Sequence, residues 1–176
     1  MATTKWTLDP THSELQFKVK HLMITTVTGS FTNFTAELET ESDDFDNGKA
    51  SFQAEVASIH TANADRDKHL VTADFFDAEN YPTISFESTQ LAKIDGDHKL
   101  HGNLTIKGVT KPVTLDVEFG GTAVDPWGNT KAGFTLNGKI KRSEWGLTYN
   151  AALETGGVML SDDVRIVGEL QFVKQA

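Results

Sequence analysis

Segment after segment of this chain alternates apolar and polar residues with a period of two. Leu15, Phe17 and Val19 interleave with Glu14, Gln16, Lys18 and Lys20, and Phe52, Ala54 and Val56 with Ser51, Gln53 and Glu55. Val113, Leu115, Val117 and Phe119 stand against Thr114, Asp116 and Glu118, and the pattern returns at Phe134, Leu136 and Ile140 and at Val164, Ile166, Leu170 and Phe172. Successive side chains on a strand point to opposite faces, so each segment has one apolar and one wet face. Many such strands in one small chain must curl around a shared apolar face, which predicts an all-β, antiparallel barrel of about eight strands.

The punctuation sets the expected elements. A short strand spans 5–8 and ends at Pro10, and a longer one spans 13–22. A Thr-rich turn is expected up to Gly29, then a strand over 30–39 in which Phe31 is out of phase with Phe34, Ala36 and Leu38, as a bulge would make it. Asn47-Gly48 reads as a hairpin turn before a strand over 49–57. Near residues 64–77 the period changes: Asn63 can cap a short helix and Thr72 a second turn carrying Phe75 and Phe76, before Pro82 restores extended chain. Strands follow over 83–91, 99–107, 111–122, 130–141 and 164–173, while 146–161 reads as a long loop or broken strand folded over one end of the barrel. Gly102, Gly138 and Gly168 fall on the inward phase, either bending the wall or leaving interior space.

With 176 residues and neither linker nor repeat, residues 1–176 are expected to form a single domain. The net charge of −9 disfavours a phosphate backbone, so nucleic acid is not an expected partner; the basic run Lys139 to Arg142 reads as a solvated strand end. The chain has no cysteine, which removes disulfides and thiolate metal sites. Nothing approaches a membrane span, so stable insertion is not expected, though transient membrane contact is. The opening Met1 to Lys5 shows no signal region and reads as cytoplasmic; a trimmed periplasmic chain would read the same.

The search for chemistry finds little. Asp9, His12 and Ser13 are the residue types of a hydrolase triad, but neighbours on one extended segment diverge, and they are better read as satisfying backbone groups at a strand start. The six histidines form no metal-ligand spacing, and no metal or cofactor is expected. Arg66, between Asp65 and Asp67, suits either a helix-start ion pair or a ligand anion. If the first strand fails to close against the last, an exposed edge admits a homodimer.

The blocks Trp6 to Ser13, Phe17 to Leu22, Gly29 to Phe34, Ser58 to Thr61, Arg66 to Leu70, Asp74 to Asp77, Tyr81 to Phe86, Gly102 to Thr110 and Ala132 to Phe134 resemble, in order, the YceI-like family of lipocalin-like polyisoprenoid-binding proteins of bacteria. That resemblance implies a lipocalin-like barrel with one helical insertion and an internal pore for the tail of an isoprenoid lipid or isoprenoid quinone, held without catalysis, as a carrier or reservoir would hold it. Tail contacts are then expected from Phe17, Val19, Phe34, Phe86 and Phe134, with Trp127 or Trp145, and from the motif residues His21, Phe31, Leu70, Phe75 and Phe76. His12, Ser13, Arg66 and His69 are the candidates for headgroup selection. Two other readings stay open: an enzyme acting on an isoprenoid or ester inside the barrel, and a filled structural barrel with no ligand.

Overall fold

The computed structural model describes residues 3–22, 24–41, 44–94, 97–147 and 160–175. The alternating segments become β1 (Thr4–Leu8), β2 (Glu14–His21), β3 (Thr25–Phe31), β4 (Phe34–Glu41), β5 (Asp44–Glu55), β6 (Ile59–His60), β7 (Thr83–Ile94), β8 (Asp97–Ile106), β9 (Val109–Val124), β10 (Thr130–Lys141) and β11 (Leu160–Lys174). One helix, α1 (Ala64–Leu70), interrupts them. All belong to one antiparallel sheet in the order β1-β4-β5-β7-β8-β9-β10-β11-β2-β3-β6, which β1 closes by pairing with β11 as well.

The eleven segments act as eight strands. β11 pairs β2 through Gly168 opposite Leu15 and β1 through Leu8 opposite Phe172, so β1 and β2 are one strand broken at Asp9 to Ser13. The break falls where Pro10 has no N–H to give the ladder. β3 and β4 are likewise interrupted at Thr32 and Asn33, and β5 and β6 at the 3-10 turn Val56–Ser58. The result is a closed eight-strand antiparallel barrel. Because β1 is paired on both sides, it offers no open edge for a dimer.

The two ends differ. At one, Phe45 meets the rings of Trp6, Phe119 and Phe134 at centroid distances of 5.2, 5.0 and 5.1 Å, and Phe134 meets Phe172 at 5.9 Å. Trp6 Nε1 donates to Thr40 Oγ1 at 3.2 Å, both residues being fully buried. This aromatic plug fills the bore. The other end is spanned by α1 and the turns after it. Asn63 caps α1 by accepting from the Arg66 N–H at 3.0 Å, and Asp67 accepts from the Thr61 backbone N–H at 2.9 Å, tying the helix to the end of β6. Lys107 Nζ reaches the Ala73 carbonyl at 3.2 Å from the β8–β9 turn. Gly108 in that turn has φ +76° and lies against the Tyr81 ring, where a Cβ would sit 2.8 Å from it.

Three expectations need correction. Residues 25–29 are strand, not turn: Thr26 and Thr28 take outward positions on β3, and their β-branched side chains suit a half-buried sheet. Asn47-Gly48 lies inside β5 rather than at its turn, since Glu41 already pairs with Asp44. The turn expected to carry Phe75 and Phe76 is present, but Thr72 Oγ1 donates back to the His69 carbonyl at 2.6 Å rather than capping it. The phase change between Phe31 and Phe34 is the break between β3 and β4, and most of the loop expected over 146–161 lies outside the described residues.

Candidate ligand cavity

The inward phase of the wall encloses a cavity of about 230 Å³. It runs from the aromatic plug, where Phe134 and Phe172 line it, to the helical end, where Leu70, Phe75 and Phe76 do. Along β8 it extends from Leu100 to Ile106, six residue steps or about 20 Å of strand at ~3.3 Å per residue. A modest volume drawn out over that length makes a narrow bore. Among the described residues that line it Gln16, Ser51 and Arg142 are polar, and the surface these residues turn to the bore is almost wholly hydrocarbon.

Arg142 explains how a cation tolerates that position. It is 7% exposed at the end of β10, with Nε donating to the Ser161 carbonyl at 3.0 Å and Nη1 to the Leu147 carbonyl at 2.7 Å. The guanidinium thus clasps the turn after β10 to the start of β11, while its methylenes face the bore. Burial pulls its pKa below the ordinary arginine value, and the Asp162 carboxylate opposes that pull. The solvated strand end expected here is wrong for Arg142, although Lys139 and Lys141 beside it are exposed.

The inward glycines are explained by close approach. A Cβ at Gly102 would lie 2.4 Å from Phe86 Cζ, and one at Gly138 would lie 2.3 Å from Leu115 Cδ2. Their missing side chains seat large neighbours that would otherwise fill the bore. At Gly168 a Cβ would meet Leu136 at 3.4 Å, ordinary contact.

Of the expected contact residues, Phe17, Val19, Phe31, Leu70, Phe75, Phe76, Phe86 and Phe134 line the cavity. Phe17, Phe31 and Phe76 follow one another at 5.6 and 6.1 Å, carrying the wall's aromatic surface onto the cap. Phe34 is not among the lining residues: its ring meets that of Phe52 at 5.8 Å, tilted by 42°, and is only partly buried. Trp145 is 1% exposed, but its Nε1 donates to the Leu104 carbonyl at 2.9 Å in the structural turn Arg142–Trp145. Trp127 is 84% exposed on the β9–β10 turn, where the Asp125 carboxylate accepts from the backbone N–H groups of Trp127 and Asn129, each at 2.9 Å. These bonds hold the Asp125 carboxyl below its ordinary pKa. Tryptophan is read as a core residue by default, yet Pro126 before this one and Gly128-Asn129 after it are turn residues between the strands expected over 111–122 and 130–141.

The polar candidates do not converge either. His12 is exposed and pairs through Nδ1 with Asp9 Oδ2 at 2.9 Å, while Lys131 Nζ reaches the same oxygen at 2.9 Å. Hydrogen bonds from Thr11, Lys131 and His12 hold the Asp9 carboxyl well below the usual carboxylate range. Ser13 Oγ accepts the Gln171 N–H at 3.0 Å, so the group stitches the break between β1 and β2 onto β11. His21 sits at the end of β2, off the cavity. Arg66 turns its Nε and Nη2 to Thr61, at 2.8 Å to Oγ1 and 2.6 Å to the carbonyl, and His69 pairs with Asp74 at 2.8 Å. Among the described residues no group of three or more His, Cys, Asp or Glu is placed to hold a metal ion. The inward residues that alternation could have supplied, such as Leu15, Ile84, Leu104 and Ile166, line the bore as well.

Comparison with known proteins agrees with the barrel fold. The UPF0312 protein of Staphylococcus aureus strain bovine RF122 / ET3-1 is 41% identical over 170 residues, 96% of this chain and 97% of that protein. Among solved structures, a YceI protein of Campylobacter jejuni superposes with a TM-score of 0.76 at 37% identity, covering 89% of this chain and 90% of that one. Burkholderia cenocepacia BcnA superposes at 0.81 with 25% identity, over 93% and 98% of the two chains. A polyisoprenoid binding domain from Saccharophagus degradans, at 16% identity over 97% and 98%, shares the fold with a TM-score of 0.64. The model of the YceI-like domain matches residues 6–172, and the chain belongs to that family.

Proposed function

We propose that this barrel binds an isoprenoid lipid or isoprenoid quinone by its tail and holds it as a carrier or reservoir, without catalysis. The observation that carries the reading is the narrow bore lined almost wholly by hydrocarbon. It suits a slender hydrocarbon chain and gives a polar ring or charged group little to bond. A tail stretch of about ten carbons gains on the order of 8 kcal/mol over water, at ~0.8 kcal/mol per buried methylene, before ordering costs. Against a bilayer the gain is near zero, since lipid tails are equally apolar. Such a protein would hold the lipid in water and release it to a membrane. The headgroup stays outside the bore in this reading, because His12, Ser13, Arg66 and His69 are engaged elsewhere. The polyisoprenoid binding described for the domain of the same fold is consistent with this assignment.

Displacement of an apolar fluorescent dye tests it. A linear prenol and a quinone with a prenyl tail should compete for the dye, and the same headgroups without tails should not. Equal competition by the tailless headgroups, or no dye uptake, would reject the proposal. Turnover of an isoprenoid ester by the protein would favour the enzyme reading instead.

A further inference from the structure

A chain of net charge −9 gathers cations on one outward patch of the wall. Lys139 on β10 stands directly opposite Arg165 on β11, which stands opposite Lys18 on β2. Their inward neighbours Ile140, Ile166 and Phe17 line the bore, so all three point outward. Adjacent strands lie about 4.8 Å apart, and like charges directly opposite are destabilising. Lys141 and Lys20 continue the patch one outward position nearer the helical end. Asp163 answers Lys139 at 3.3 Å and Lys141 at 3.2 Å, and Asp162 is taken up by the Ser143 N–H and hydroxyl at 2.9 and 2.8 Å. Lys18, Lys20 and Arg165 form no ion pair among the described residues.

Beside this patch the β2–β3 hairpin carries Leu22, 37% exposed with φ +54°, and Ile24, 76% exposed. A left-handed leucine is strained, and here it helps turn an apolar tip toward water. Cations flanking exposed aliphatic side chains make an interfacial surface, the charges attracting anionic headgroups while the tip enters the acyl boundary. The patch lies at the end of the barrel where Phe75 and Phe76 cap the bore. We infer that the outward face of β2, β10 and β11 with the hairpin tip docks this protein on an anionic bilayer, helical end toward the lipid. The inference goes beyond the lipid-holding reading, and draws on it only for what would cross between bilayer and bore.

Vesicle flotation at low salt tests it, with vesicles of phosphatidylglycerol and phosphatidylcholine in equal parts against phosphatidylcholine alone. The protein should float with the anionic vesicles only, and added salt should release it. Each cation removed should weaken binding about fivefold, so Lys18→Gln, Lys139→Gln and Arg165→Gln together should weaken it roughly 100-fold. Ile24→Ser should cost about tenfold, and Lys49→Gln, on β5, nothing. Absent flotation, equal flotation with neutral vesicles, or an unchanged triple variant of wild-type melting temperature would overturn the inference. Failed flotation with a tail still bound in the bore would sink the docking surface alone; flotation by a protein that takes up no tail would sink the lipid-holding reading alone.

Discussion

Gly138→Ala distinguishes an empty bore from a filled core. Gly138 faces inward on β10, and the added Cβ would lie 2.3 Å from Leu115 Cδ2. Carbon contacts are comfortable at about 3.5–4.0 Å, so that methyl must retreat by more than about 1 Å. The next contacts, Leu115 Cγ at 3.6 Å and Cα at 3.9 Å, are already ordinary. Rotating the end of one flexible side chain therefore relieves the clash. Leu115 lines the cavity, and the open side is the bore. Overpacking that relaxes into a void should cost about 1 kcal/mol, the low end of the usual 1–3 kcal/mol. The displaced methyl and the new one together remove the space of about two methylenes, worth roughly 1.6 kcal/mol of tail binding or about fifteenfold in affinity. Urea unfolding and dye displacement by a prenol read the two quantities on the same sample. Gly102→Ala is the contrasting case. Its Cβ would meet the Glu87 backbone oxygen at 2.5 Å as well as the Phe86 ring, and a backbone atom cannot swing aside, so its stability cost should reach about 3 kcal/mol. A loss above about 3 kcal/mol for Gly138→Ala with unchanged affinity would mean that Leu115 has no bore to move into and that the core is filled.

Four further outcomes follow from the same geometry. Phe45→Ala should cost about 3–5 kcal/mol in denaturant unfolding, since the ring holds three others in the plug, and by opening the closed end it should admit longer tails in native mass spectrometry. Arg142→Met should cost about 2–4 kcal/mol by the same assay, because the Ser161 and Leu147 carbonyls lose a charged donor. The Asp9 carboxyl is held below its ordinary pKa, so its contribution is fully present above the unfolded value of about 3.9 and fades as pH falls through the folded one; wild type and Asp9→Asn should therefore differ in stability at neutral pH and converge in acid. Trp127→Ala should change stability by less than about 0.5 kcal/mol yet remove the acrylamide-quenched part of the tryptophan emission, Trp6 and Trp145 being buried.

Period-two alternation carried most of the fold, because a wall buried on one face forces one register: Phe17, Val19, Phe86 and Phe134 could not be moved by one residue without turning outward. It failed where the pairing partner decides. Thr25 to Gly29 has turn-like composition, and only its pairing with β2 makes it strand; Asn47-Gly48 has turn chemistry, yet the chain reverses earlier. The site was less legible for a related reason. Arg142 ends a run of exposed cations, and its burial depends on carbonyls 5 and 19 residues away along the chain. Trp127 and Trp145 cannot be ranked by hydrophobicity, since a turn holds one in solvent and a carbonyl anchors the other away from the bore. The cation row across β10, β11 and β2 is likewise invisible until register aligns residues 18, 139 and 165.

Whether the bore holds an isoprenoid tail is read from organic-solvent extraction of the purified protein, analysed by mass spectrometry beside its intact native mass. One stoichiometric prenyl lipid or quinone is expected, its mass making up the difference between native and denatured protein. A native mass equal to that of the bare chain, with no lipid in the extract and no prenol taken up on addition, would contradict that reading.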